Sequence, residues 1–233
     1  MWIDLEKKEY RLLLSLLLID AAFIVAHILK FSTNLVSSYL FSLEQNKGYA
    51  EIYQDIKGVW IVALLVYLLI RRRKIFYAIW LLLFGFILLN NVMTFHESIA
   101  GSLSTNLMPF DWPLSYKVKL GEMGLYMMIG IPTLIFIGAT YRKSAPEEQT
   151  VTRALLWLFA LLMVFALGVD LLHIGIRRIF DTQLVYEIMG GIEEGGEMVV
   201  MSFIYAYLFG LDGRSAKTQK HEITKDYLPG RSV

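Results

Sequence analysis

Apolar residues along this chain fall into six blocks separated by short polar stretches. They lie at Arg11–Lys30, Gly58–Ile70, Ile75–Thr94, Leu120–Tyr141, Ala154–Gly175 and Leu184–Leu211. About 20 residues of helix cover the ~30 Å hydrocarbon core of a bilayer, so blocks of this kind predict membrane-spanning helices. The second block is short as a purely apolar run. Apolar and polar residues nevertheless recur at helical spacing back through Tyr49–Lys57, which predicts one long helix there. The first block follows Glu6-Lys7-Lys8 and has no small-residue cleavage pattern, so it is expected to be a permanent span rather than a removed signal. No Pro/Gly/Ser-rich linker or repeat divides the chain. The pattern therefore predicts an all-α integral membrane protein, a bundle of six transmembrane helices forming a single domain over residues 1–212. A polar cytoplasmic tail is expected at 213–233.

Composition removes the alternative of a water-soluble bundle. Hydrophobic residues make up 56% of the 233, 18% are charged and mean hydropathy is +0.53, more apolar surface than one soluble core uses. The surplus has to face lipid, and membrane lipid is the first expected partner. A formal charge of +1, with no block of interleaved basic and aromatic residues, leaves no footprint for nucleic acid. The absence of cysteine excludes disulfide frameworks, thiolate metal sites and Cys nucleophiles.

With six spans, the termini and the second and fourth connections share one side. That side carries 15 Lys and Arg, among them Arg71–Lys74, Arg142, Lys143 and Arg153. The other carries 7, namely Lys30, Lys47, Lys57, Lys117, Lys119, Arg177 and Arg178. By the positive-inside rule both termini are cytoplasmic (N-in/C-in), in the plasma (inner) membrane.

Ionisable residues within spans are costly, roughly 2.5–3.5 kcal/mol each on insertion scales, and so are functional candidates. Here they are many. Asp20 and His27 lie in the first span, Glu51 and Asp55 in the extended second, and His96 and Glu97, after the polar but neutral Asn90 and Asn91, at the end of the third. Glu122 opens the fourth, Asp170 and His173 lie in the fifth, and Glu187, Glu193, Glu194 and Glu197 in the sixth. Alternating span direction puts nearly all of them at one level, in the outer half of the membrane. At 100° per residue Asp20 and His27 share a stripe, and the four glutamates of the sixth span fit within a sector of about 120°. Gly191 and Gly195 form a G-x-x-x-G step beside them, a spacing that lets helices approach closely.

Carboxylates crowded away from bulk water must take up protons or be compensated by cations. Apart from interfacial Lys and Arg, the only basic groups at this level are His27, His96 and His173. Asp170-x-x-His173 and Glu194-x-x-Glu197 each put two metal-ligand residues on one helical face, while Glu97 and Glu122 come from two further helices. In ligand arithmetic the set resembles the carboxylate-bridged di-iron and di-manganese bundles, where two helices supply one Glu each and two supply Glu-x-x-His. Asp stands for Glu in one motif here, and Glu for His in the other. The resemblance implies a site for one or two divalent ions. His96-Glu97 opens like the H-E-x-x-H zinc motif, but residue 100 is Ala. The H-x-x-x-H pair of the intramembrane zinc hydrolases related to alkaline ceramidases and adiponectin receptors is also missing, as are a phosphate loop and a G-x-S-x-G elbow.

The expected function is a metal-dependent membrane enzyme with an outward-facing site, acting on a lipidic or membrane-associated substrate. Glu97, Glu122, Asp170, His173, Glu194 and Glu197 are its expected metal ligands and Glu193 its catalytic proton shuttle. His27, His96 and Asp20 are further candidates, and ligands of O and N without sulfur suit Zn, Fe or Mn. Plainer readings stand beside these. His27 and Asp20 can be packing partners, and Glu51, Asp55 and Glu187 can be solvated at the interface. The alternatives for the whole chain are a proton or divalent-cation transporter or channel using the same carboxylates, and a non-catalytic assembly subunit. A homo-oligomer or a partner membrane subunit fits either.

Overall fold

The computed structural model describes residues 7–33, 35–36, 38–93, 114–177 and 182–227, the side chains at 114–120, 122, 125, 170, 174, 177 and 212–227 excepted. Among the described residues the architecture is helical, with no strand. The elements are α1 (Lys7–Ser32), a 3-10 turn (Tyr39–Phe41), α2 (Tyr49–Arg72), α3 (Ile75–Met93) and α4 (Leu114–Tyr141). Then α5 (Pro146–Met163) runs through a π turn (Val164–Val169) into α6 (Asp170–Arg177), and α7 (Gln183–Tyr227) follows. α2 takes in the mixed segment from Tyr49. Helical backbone in α7 continues past Gly213 to Tyr227, into the part read from sequence as a polar tail.

Among the described residues, four helical stretches are long and apolar enough to cross a membrane: Lys7–Ser32, Tyr49–Arg72, Ile75–Met93 and Pro146–His173. α4 adds a shorter apolar stretch, Tyr126–Tyr141, and α7 carries Glu187, Glu193, Glu194 and Glu197 in its first half. The polarity is inside-out relative to a soluble bundle. Leu82 and Trp157 are 71% and 70% exposed, whereas Asp20 and Lys57 are 0% exposed. A surface of this kind is stable against acyl chains and not against water.

Local signals set several helix ends. Arg71 and Arg72 lie in the last turn of α2, where cations suit the carbonyl end of the helix dipole. Arg73 takes a left-handed φ of 50° and its N–H reaches Leu69 O at 2.9 Å, closing the helix and turning it into α3 within two residues. Pro146 opens α5 with Glu147 and Glu148 in the first turn. The two ends meet. Arg72 donates to Tyr77 Oη at 2.8 Å and to the Leu211 carbonyl, and lies 3.5 Å from Glu147, while Lys74 lies 3.1 Å from Glu148.

α7 is the hub, packing against α1, α2, α5, the π turn and α6. Its glycines make that possible. A Cβ at Gly191 would sit 3.3 Å from the His27 ring and one at Gly195 3.3 Å from Ile24, so both glycines press α7 onto α1. Gly196 faces the π turn, where the Phe165 ring fills the space a side chain would need. On the Arg73–Lys74 side of these contacts lies an apolar core around Ile61, Leu65, Leu155, Ile204 and Leu208, each 0% exposed.

Three helices are tied at mid-bundle by a closed polar knot. Lys57 of α2 donates to Asp20 Oδ1 of α1 at 2.9 Å, to the Met198 carbonyl of α7 at 2.6 Å and toward Ser202 Oγ at 3.2 Å. Ser202 donates to the second carboxylate oxygen, Oδ2, at 2.6 Å. The Lys57 ammonium also lies 4.5 Å from the centroid of the Tyr53 ring. This corrects two expectations. Lys57 is an interior cation and not an external loop charge, and the partner of Asp20 is Lys57, not His27. The reason is geometric: starting α2 at Tyr49 carries Lys57 more than two turns into the bundle.

Removing one member of such a pair leaves the other charge buried without compensation. Asp20→Ala or Lys57→Ala is therefore expected to lose about 3–5 kcal/mol of stability, and an Asp20→Leu/Lys57→Met double variant to recover most of it. Thermal unfolding in detergent measures both, and a double variant no more stable than either single one would contradict the pairing.

Candidate functional site

Opposite the Arg73–Lys74 turn, residues 38–48 connect α1 to α2 and pack against both as a strap. The strap is pinned at both ends. Leu43 N–H donates to His27 Nδ1 at 3.2 Å, and Lys47, with φ 59°, donates its N–H to the Glu51 carboxylate. Between them the Glu44 carboxyl group occupies the notch that Gly190 leaves in α7.

Residues 43–47 of the strap form part of the wall of a cavity of about 690 Å³. Glu44, Glu51, Asp55, Glu194 and Glu197 line it, against Lys47 as the one cation among its described lining residues. Its deeper wall is apolar, with Ile87, Leu162, Met163, Leu167 and Met201. Gln54 donates from Nε2 to Glu197 Oε2 at 3.1 Å, fixing that carboxylate against α2. Asn90, fully buried, donates to Tyr126 Oη at 2.8 Å and joins α3 to α4 beside the chamber. Carboxylates and apolar side chains thus share one cavity.

The structure divides the residues singled out from sequence. Glu194 and Glu197 line the chamber. Leu171 and Met123, the chain neighbours of Asp170 and Glu122, line it too, while the side chains of Asp170 and Glu122 lie outside the described residues, as do His96 and Glu97 entirely. His173 and Glu193 sit together on the seam between α6 and α7. His173 Nδ1 lies 3.9 Å from Glu193 Oε2, and the ring packs edge-on against Tyr186 at 5.1 Å. Among the described residues no group of three or more His, Asp or Glu side chains is close enough to hold one metal ion. Asp20 belongs to the knot. His27 has both nitrogens committed: Nδ1 accepts from Leu43, so Nε2 carries the proton and donates to the Glu187 carbonyl at 3.1 Å.

Glu44, Gln54 and Lys57 were not in the set read from sequence, and Glu51 and Asp55 were read as solvated. The spacing Glu51-x-x-x-Asp55 within a helix that is otherwise largely apolar was the available signal for a polar face on α2. Nothing local marks Glu44, whose place depends on a glycine 146 positions further along the chain.

Replacing Gln54 by Leu removes the amide from Glu197 and is expected to cost about 1 kcal/mol, with little further cost in a Glu197→Ala background. A double-mutant cycle by thermal unfolding reads that coupling directly, and additivity of the two substitutions would contradict it.

No curated protein and no solved structure matches the chain. The family model described as Domain of unknown function (DUF8692) matches residues 12–211, a stretch that takes in every described residue of the chamber and the knot. The chain belongs to the DUF8692 family.

Proposed function

We propose that this chain is a membrane protein of six spans with both termini cytoplasmic, and that its acidic chamber opens outward. There it captures a divalent metal ion used as a Lewis acid on a lipidic substrate. The observation that carries this reading is the gathering of five described carboxylates, Glu44, Glu51, Asp55, Glu194 and Glu197, around a single cavity. Carboxylates that share one cavity are stabilised by a cation or by protons. Moving Lys57 to the interior leaves six Lys and Arg on the outer side against 15 on the cytoplasmic side, which strengthens the charge asymmetry behind the orientation. Glu194 and Glu197 line the cavity together with Ala166 and Leu167 of the π turn and Leu171 of α6, and Asp170 and Glu122 belong to elements bordering the same space.

The apolar wall supports the substrate class. Leu162, Met163, Leu167 and Met201 offer an acyl chain a surface, while an ion above them would polarise a carbonyl or phosphoryl oxygen or activate water. Zn, Fe and Mn fit the O and N donors equally. Passage of a proton or cation through the bundle finds less support, because Ile61, Leu65, Leu155, Ile204 and Leu208 fill the layer beyond the chamber. A hydrated ion crosses such a layer only at high cost.

Protein purified without chelator is expected to carry at least about one divalent ion per chain by elemental analysis, and a Glu194→Gln/Glu197→Gln variant to carry less. Metal at about 100 times its Kd should add about 2.7 kcal/mol to the stability of the wild type and not of the variant. A metal-free wild type indifferent to added Zn, Fe or Mn would remove the reading. In cells, a reporter fused after Gly213 should be reached only from the cytoplasmic side.

A further inference from the structure

At the Arg73–Lys74 end of the bundle the described acids are all engaged within the protein. Glu147 lies 3.5 Å from Arg72 and Glu148 lies 3.1 Å from Lys74, while Glu9 of α1 is buried with its carboxyl group in the notch at Gly210 of α7. The cations outnumber them. Arg73, Arg142, Lys143 and Arg153 are exposed and make no side-chain hydrogen bond or ion pair among the described residues. Lys7 and Lys8, which open α1 beside Glu9, are exposed too.

These cations share one surface. Because Arg72 and Lys74 reach Glu147 and Glu148, the turn that carries Arg73 lies against the first turn of α5, and Arg142 and Lys143 lie in the connection that leads into that turn. Gln149 Nε2 donates to the Tyr141 and Ser144 carbonyls, at 3.1 Å each, and fixes the connection on α5. Arg153 continues the surface along α5. At 100° per residue Arg153, Trp157 and Val164 fall on one stripe of the helix, and Trp157 and Val164 are 70% and 55% exposed. The end of α2 repeats the order, with Arg71 donating to Tyr67 Oη at 2.5 Å one turn deeper and Tyr67 itself exposed. A cation, then an aromatic ring, then aliphatic side chains is the order of headgroup, interface and acyl chain in a leaflet.

We propose that this surface binds anionic phospholipid: Arg73, Arg142, Lys143 and Arg153 hold lipid phosphates of the adjoining leaflet, and the glycerol and upper acyl chain lie against Trp157. A zwitterionic headgroup brings its own cation to the phosphate, whereas an anionic one leaves its charge to the protein, and guanidinium groups pair with phosphate oxygens two at a time. The surface lies at the opposite end of the bundle from the chamber. It depends neither on what the chamber holds nor on which side of the membrane the termini lie.

Thermal unfolding of the full chain in a nonionic detergent, followed against added lipid, gives an apparent Kd for each lipid. Dioleoyl phosphatidylglycerol is expected to bind about tenfold more tightly than dioleoyl phosphatidylcholine at ~50 mM salt, and no more than about twofold more tightly at ~0.5 M, where exposed charges are screened. Arg153→Gln should lower the preference about fivefold, and an Arg73→Gln/Arg142→Gln/Lys143→Gln/Arg153→Gln variant should abolish it. Lys30→Gln removes a cation at the opposite end of α1 and should leave it unchanged. Equal affinity for the two lipids in the wild type, or a preference that survives high salt or the quadruple substitution, would overturn the proposal. So would its loss in Lys30→Gln, which would trace it to net charge and not to this surface. Inorganic phosphate that protects the protein as well as phosphatidylglycerol at the same concentration would overturn it too, because the surface would then take a free anion and not a lipid. If the quadruple variant does not fold, the salt dependence of the wild type and the single Arg153→Gln variant decide the question.

Discussion

A lysine and an aspartate buried together at the centre of a lipid-facing bundle constrain everything around them. Neither charge can reach water, so each has to be satisfied by the protein, and the four groups that do so come from three helices far apart in sequence. Asp20 receives Lys57 on one oxygen and Ser202 on the other, while Lys57 has a carboxylate, a carbonyl, a hydroxyl and an aromatic face around it. In a medium without competing water, alternative registers of α1, α2 and α7 would leave these groups unsatisfied. The knot therefore sets which residues of each helix face one another. The chamber begins one turn beyond it, at Gln54 and Glu197.

Close approach and a local widening give that alignment its shape. Gly191 and Gly195 let α1 lie directly on α7, which brings His27 within reach of the Glu187 carbonyl. On the opposite side, the π turn at Val164–Val169 places Phe165 in the space at Gly196 and changes the phase of the helix before Asp170 and His173. One face of α7 is thus packed tightly, while Glu194 and Glu197 border an open space between α2 and the π turn. The glycines and the glutamates of α7 are two halves of the same arrangement: the small residues bring neighbours in, and the acidic ones face what remains unfilled.

That remaining space brings carboxylates and apolar side chains together, and residues 43–47 of the strap form part of its wall. Electrostatically the carboxylates favour a cation, and the apolar side chains offer no competing hydration. The knot keeps its own cation out of the chamber by enclosing it with Asp20, so Lys57 does not neutralise Glu194 or Glu197 by contact. A satisfied ion pair and an acidic cavity thus lie one turn apart in the same bundle.

Membrane class, all-helical architecture and the backward extension of α2 to Tyr49 were legible in the sequence, because they follow from block length and helical periodicity, both local properties. Of the acidic residues placed at one level from the sequence, Glu51, Asp55, Glu194 and Glu197 line one cavity. That grouping was not legible in the sequence. The phase of Asp170 and His173 relative to the first half of their helix depends on a π turn that a uniform 100° per residue cannot anticipate, and His173 meets Glu193 while Glu194 and Glu197 meet the chamber. Glu44 entered the site through a glycine notch on a helix distant in sequence, and Lys57 left the list of external charges once Asp20 and Ser202 were seen around it. The sequence by itself determined that the chain would form apolar helices carrying polar groups along their length. Which of them pair with each other, and which are left facing a cavity, depended on helix rotation and close packing, and those exist only once all the helices are assembled.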